Sequence, residues 1–164
     1  MTFEEYQQAA VSFRTDTANN EEYLTLGLIA EVGEAAGKLA KRRRDGVWDE
    51  KAFIKELGDI LWFIANLADY YDDANIHEVL KDCFAYIKLS TKQDYNNMRY
   101  FAKRAVQVAA DDDDDYTLYE STVDWLASIA KSFGYTLEQV AEINIAKLRD
   151  RQARGVIKGN GDER

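Results

Sequence analysis

The sequence predicts an all-α fold. Three observations carry that expectation. The chain has no proline, no stretch shows the period-two alternation of a strand, and apolar residues recur at helical spacing behind recognisable capping sequences. A length of 164 residues is enough for one domain with a substantial core.

The helices follow in order. Thr2-x-x-Glu5 is a capping box, and Phe3, Tyr6, Ala10 and Phe13 form one stripe behind it. Thr15–Asn20 reads as a loop ending in a cap at Asn19 or Asn20. A long helix is expected from about Glu21 to Arg44, closed by Asp45-Gly46. Asp49 caps the next helix, which runs to about Tyr71, with Trp48 and Phe53 as its hydrophobic staple. Asn75-x-x-Glu78 predicts a helix over about Ile76–Leu89, and another is expected over Asp94–Ala110. The acidic run Asp111–Asp115 reads as a solvated loop or helix start. Thr117-x-x-Glu120 predicts a capped helix to about Phe133, with Gly134 just beyond it. Thr136-x-x-Gln139, stapled by Tyr135 and Val140, opens a last helix that ends before Gly155. The glycine-containing tail Val156–Arg164 is expected to be mobile without a ligand.

Bulk properties exclude several classes. A net charge of −9 argues against a general nucleic-acid binder, which needs a basic face. No apolar run approaches the ~20 residues of a transmembrane helix, and no cationic-then-apolar leader opens the chain. The single cysteine, Cys83, excludes an internal disulfide framework and fits a reducing cytoplasm. The single histidine, His77, excludes a His-rich zinc site and the paired Glu-x-x-His motifs of ferritin-like di-iron proteins. No G-x-x-x-x-G-K-[ST] phosphate loop is present.

The chemistry is concentrated in two short motifs, Glu31-Val32-Gly33-Glu34 and Glu56-Leu57-Gly58-Asp59. Residues three apart share a helix face, so each motif projects two carboxylates from one side of its helix. Like charges this close repel, and burying them unpaired costs roughly several kcal/mol each. A hard divalent cation removes both penalties, so four carboxylates from two facing helices make an all-oxygen site for Mg²⁺ or Mn²⁺. Glycine within a helix costs ~1 kcal/mol against alanine. Gly33, Ala35, Ala36 and Gly37 are therefore expected to let two helices approach closely.

With 21 residues between Glu34 and Glu56, the two motifs and their flanks, Leu26–Ala35 and Lys55–Trp62, resemble the all-α nucleoside triphosphate pyrophosphohydrolases of the MazG type. Glu142–Arg151 resembles that family's closing helix. The resemblance covers about residues 1–70 and 120–164. It implies a single MazG-like helical bundle over 1–164, with a helical hairpin inserted at about 72–118. Phe63–Tyr71 and Trp125–Phe133 echo one another, as an added hairpin or plain helical periodicity would produce.

The activity implied is Mg²⁺-dependent hydrolysis of a nucleoside triphosphate, with a deoxynucleotide expected, to the monophosphate and pyrophosphate; the close alternative is narrow specificity for dUTP or dCTP. Glu31, Glu34, Glu56 and Asp59 would hold the metal, with Glu34 as general base. Lys38, one turn beyond Glu34, and the stripe Asn144, Lys147 and Arg151 would contact phosphate. Phe63 would stack on the base, and Asn66 would hydrogen-bond to base or sugar. Lys158 and Gly159–Gly161 would fold over the ligand, while Lys41–Arg44 reads as dipole compensation and surface charge. The family resemblance further implies a homodimer or homotetramer, while the lone cysteine, the acidic charge and the lack of a long apolar run point to the cytoplasm and to no nucleic-acid or membrane partner. The competing reading is a non-catalytic acidic helical module that binds a protein.

Overall fold

Most helices begin where the sequence supplies a side chain for the first free N–H groups. In a computed structural model describing residues 1–85, 95–110 and 116–156, the helices are α1 (Phe3–Ser12), α2 (Glu21–Asp45), α3 (Glu50–Tyr71), α4 (Ala74–Ala85), α5 (Tyr95–Ala110), α6 (Tyr116–Ser132) and α7 (Leu137–Ala153). No strand occurs among the described residues. The all-α expectation is borne out.

The caps are largely those read from the sequence. Thr2 and Thr136 make full capping boxes with Glu5 and Gln139. Asn20, not Asn19, caps α2 by accepting from the Tyr23 N–H at 2.8 Å. Gly46 closes that helix in the left-handed region, at φ 69°. Asp49 accepts from the Ala52 N–H at 2.9 Å, and the Trp48 and Phe53 rings meet at 5.2 Å as the expected staple. The loop expected over Thr15–Asn20 contains a single 3₁₀ turn at Asp16–Ala18.

Two boundaries differ from expectation. The cap of α4 is Asp73, which accepts from the Ile76 N–H at 3.0 Å, so the helix starts before Asn75. Asp72 adopts the left-handed conformation at φ 50° and ends α3, leaving the next residue free to cap. Thr117 already lies inside α6 and cannot be its N-cap. The acidic run Asp111–Asp115, the expected end of α4 through Leu89, and Lys158 with Gly159–Gly161 lie outside the described residues.

The core is built around α3. Thirteen of its residues are buried, from Phe53 to Ala68, because α1, α2, α6 and α7 all pack on it. Each fully buried Leu, Ile or Phe side chain contributes ~1.5–3 kcal/mol. By contrast α2 buries only Leu24, Leu28, Val32 and Ala35, although it spans 25 residues. That narrow stripe packs on α3, and α5 lies against α2 as well. α4 and α5 both pack on α6. The turn between α2 and α3 is pinned by the Arg42 guanidinium, 4.4 Å from the centre of the Trp48 ring and 5.8 Å from that of Phe133.

Candidate metal centre

The packing of α2 on α3 brings the two acidic motifs together. Glu31, Glu56 and Asp59 each offer a carboxylate oxygen, and these oxygens lie within 4.8 Å of one another. Glu56 is buried, and Glu31 and Asp59 are half-buried. Glu34 stays exposed on the solvent side of α2 and is not one of the three converging acids. Its charge still reaches them: with Asp59 it helps to raise the Glu31 and Glu56 carboxyls.

The electrostatics are those of an anionic cluster short of positive charge. Burial pushes the Glu31 carboxyl up to about 8, with Asp59, Glu34 and Glu56 adding to the shift and Lys147 opposing it. Burial also raises Glu56, against the pull of Lys38. Two ammonium groups are in contact with the cluster. Lys38 Nζ lies 3.0 Å from Glu56 Oε1, and Lys147 donates to both oxygens of Asp59. The donor set is all hard oxygen, so it fits Mg²⁺ or Mn²⁺ and not a soft metal. Acids whose protons are held this tightly are the groups a divalent cation relieves most.

α7 reaches the cluster through Gly58. A Cβ at that position would sit 2.9 Å from Cβ of Asn144, so only glycine lets α7 lie this close to α3. Asn144, almost fully buried, donates from Nδ2 to Asp59 Oδ1 at 3.0 Å. Its Oδ1 accepts from the Tyr6 hydroxyl at 3.0 Å. The expectation for the α2 glycines is corrected: among the described residues nothing lies within 4 Å of a Cβ built at Gly33 or Gly37. The close approach is made by α7 at Gly58. A second close approach is at Gly27, where any Cβ would run into the Phe63 ring.

The expected base-contacting residues lie further along α3. Phe63 is buried against Gly27 and meets the Tyr23 ring at 5.8 Å. Asn66 is fully buried and donates to the Trp62 carbonyl at 2.8 Å. Its Oδ1 has no hydrogen-bond partner among the described residues. Arg151 lies one turn beyond Lys147 on α7, half-buried. Sequence reasoning missed Tyr6. It stands on the apolar stripe of α1, and nothing in that pattern distinguishes a hydroxyl with a buried partner from ordinary core.

Residues 19–93 match the MazG nucleotide pyrophosphohydrolase domain, so the resemblance in the two motifs is borne out. That span includes all four motif acids and ends before α7. The chain is also similar to the Gene 37 protein of Mycobacterium phage L5, 39% identical over 62 residues. That similarity covers 35% of this chain and 54% of the phage protein, about half its length. No solved structure matches the chain significantly. No helix among the described residues is long and apolar enough to cross a membrane.

Proposed function

We propose that this chain, whose residues 19–93 are a MazG-like domain, hydrolyses a nucleoside triphosphate, ribo or deoxy, to the monophosphate and pyrophosphate. The observation that carries this reading is the convergence of Glu31, Glu56 and Asp59 from two helices, with a lysine on each of two of them. Glu31, Glu56 and Asp59 would hold Mg²⁺ or Mn²⁺, with Glu34 at the open edge. When bound, the ion supplies charge neutralisation on the triphosphate and lowers the pKa of water.

The chain's own groups do the rest. Lys38 and Lys147 are placed to give their ammonium charge to phosphate oxygens when the carboxylates they now hold are otherwise balanced. Arg151 extends that cationic stripe along α7. Glu34 takes the proton of the water whose oxygen attacks the α-phosphorus, as the bond from that phosphorus to the bridging oxygen breaks and pyrophosphate leaves. Phe63 offers its face to the base once Tyr23, which is 46% exposed, turns aside. The orphaned Oδ1 of Asn66 accepts from a base or sugar donor. Asn144 joins α7 to the centre through its hydrogen bond to Asp59.

The whole chain would act as one unit with an addition at about 72–118, whose helices α4 and α5 pack on α6, and α5 on α2 as well. It would assemble as a homodimer or homotetramer in a reducing cytoplasm. Tyr23, Leu26 and Ile29 stand exposed along α2 and give such an assembly an apolar face.

Substitution tests the site directly. Glu56→Gln and Asp59→Asn should each abolish turnover while the helix content is kept, and Mg²⁺ should no longer raise the unfolding temperature. Folded variants that keep wild-type turnover would remove the acids from catalysis. A wild-type chain with no turnover on any triphosphate would favour the protein-binding module.

A further inference from the structure

We infer that Tyr6 is a positioning residue for Asp59 and acts through Asn144, so that α1 sets the geometry of a centre carried by α2 and α3. The inference rests on the proposed reading of Asp59 as an oxygen donor of that centre.

Four observations carry it. The Tyr6 side chain is fully buried and Asn144 is 1% exposed, so neither hydroxyl nor amide can exchange its partner for bulk water. The hydrogen bonds form one directional chain. A carboxylate only accepts, so the amide must turn Nδ2 toward Asp59, and this leaves Oδ1 to accept from Tyr6. Gly58 supplies the space that Asn144 fills. Asp59 also helps to raise the Tyr6 hydroxyl, after burial, which keeps it a donor.

The consequence is selective. Among the described residues, Asp59 Oδ1 takes bonds from both Asn144 and Lys147, while Oδ2 takes one from Lys147. The neutral bond from Asn144 persists when the ammonium leaves, so it holds the carboxylate plane during exchange of one cation for another. Such outer partners commonly govern affinity ~10–100-fold. Asn144 is thereby engaged at both ends of its amide by protein, which assigns it to holding Asp59 in place of direct phosphate contact.

The test is Tyr6→Phe in the full chain, with Mn²⁺ affinity read by electron paramagnetic resonance and unfolding followed alongside. Mn²⁺ affinity should fall ~10-fold, and the Mg²⁺ concentration for half-maximal turnover should rise by the same factor. Saturating Mg²⁺ should restore kcat. Asn144→Ala should show the same loss of Mn²⁺ affinity and serves where Tyr6→Phe does not fold. A folded Tyr6→Phe with wild-type Mn²⁺ affinity overturns the relay. Asp59→Asn separates the two readings. If it retains wild-type Mn²⁺ affinity, the metal centre itself is wrong. If it abolishes binding while Tyr6→Phe does not weaken it, only the relay fails.

Discussion

Lys147 donates to both carboxylate oxygens of Asp59, joining α7 to α3 across 88 residues of sequence. The pair is mostly shielded, with side chains 15% and 20% exposed. Lys147 is also the one cation that lowers the Glu31 carboxyl among its main influences. Lys147→Met should therefore destabilise the metal-free protein by about 2 kcal/mol, between the values for exposed and buried pairs. Saturating Mg²⁺ should shrink that difference, and KM for a triphosphate should rise. Denaturant unfolding with EDTA and with Mg²⁺, and steady-state kinetics, measure the effects.

The stability of the metal-free protein should depend on pH through Glu31. Its carboxyl titrates near 4.5 when unperturbed and about 8 in the folded chain. Between those values the folded state keeps a proton that the unfolded state has released. Stability is therefore highest at the acid side of this window and falls as pH rises toward 8. Unfolding in EDTA at pH 5, 6.5 and 8 should show the fall, and Glu31→Gln should reduce it. Added Mg²⁺ should oppose the fall at high pH, where the ionised cluster binds it best.

The two motif glycines should respond in opposite directions to alanine. Gly58→Ala places a methyl 2.9 Å from Asn144 Cβ and should cost about 1–3 kcal/mol, with weaker metal binding. Gly33→Ala meets no described atom within 4 Å, and it should gain up to about 1 kcal/mol of helix stability. Thermal unfolding of both variants decides the matter. A loss at Gly33 would mean that a second molecule packs against that face of α2.

Removal of the Arg42 guanidinium should loosen the α2–α3 turn without touching the centre. Arg42→Ala should cost about 1 kcal/mol through the lost stacking on Trp48 and Phe133. Mn²⁺ affinity should remain at its wild-type value. Tryptophan fluorescence and a Mn²⁺ titration report the two quantities separately.

What the sequence disclosed depended on whether the signal was local. Capping boxes at Thr2 and Thr136, the Asp49 cap and the Trp48–Phe53 staple involve residues a few positions apart, so they were legible. Helical spacing places Glu56 and Asp59 on one face of α3, but it does not disclose that Glu31 converges with them while Glu34 stays at the solvent edge. The Asp73 cap was hidden because Asp72 ends α3 in an unusual left-handed conformation for a non-glycine residue. The partner of Gly58 was equally hidden, since Asn144 lies far along the chain and on a different helix. Tyr6 was illegible for the same reason: its hydroxyl finds a partner only when α1 and α7 pack together.

The central claim is the bond that breaks. The wild-type chain should be incubated with a panel of ribo- and deoxynucleoside triphosphates, including dUTP and dCTP, with Mg²⁺ and with EDTA. Products should be resolved by chromatography. The account predicts monophosphate and pyrophosphate in equal amounts from at least one substrate, only with the metal. Diphosphate and phosphate would contradict it, because water would then have attacked the terminal phosphorus.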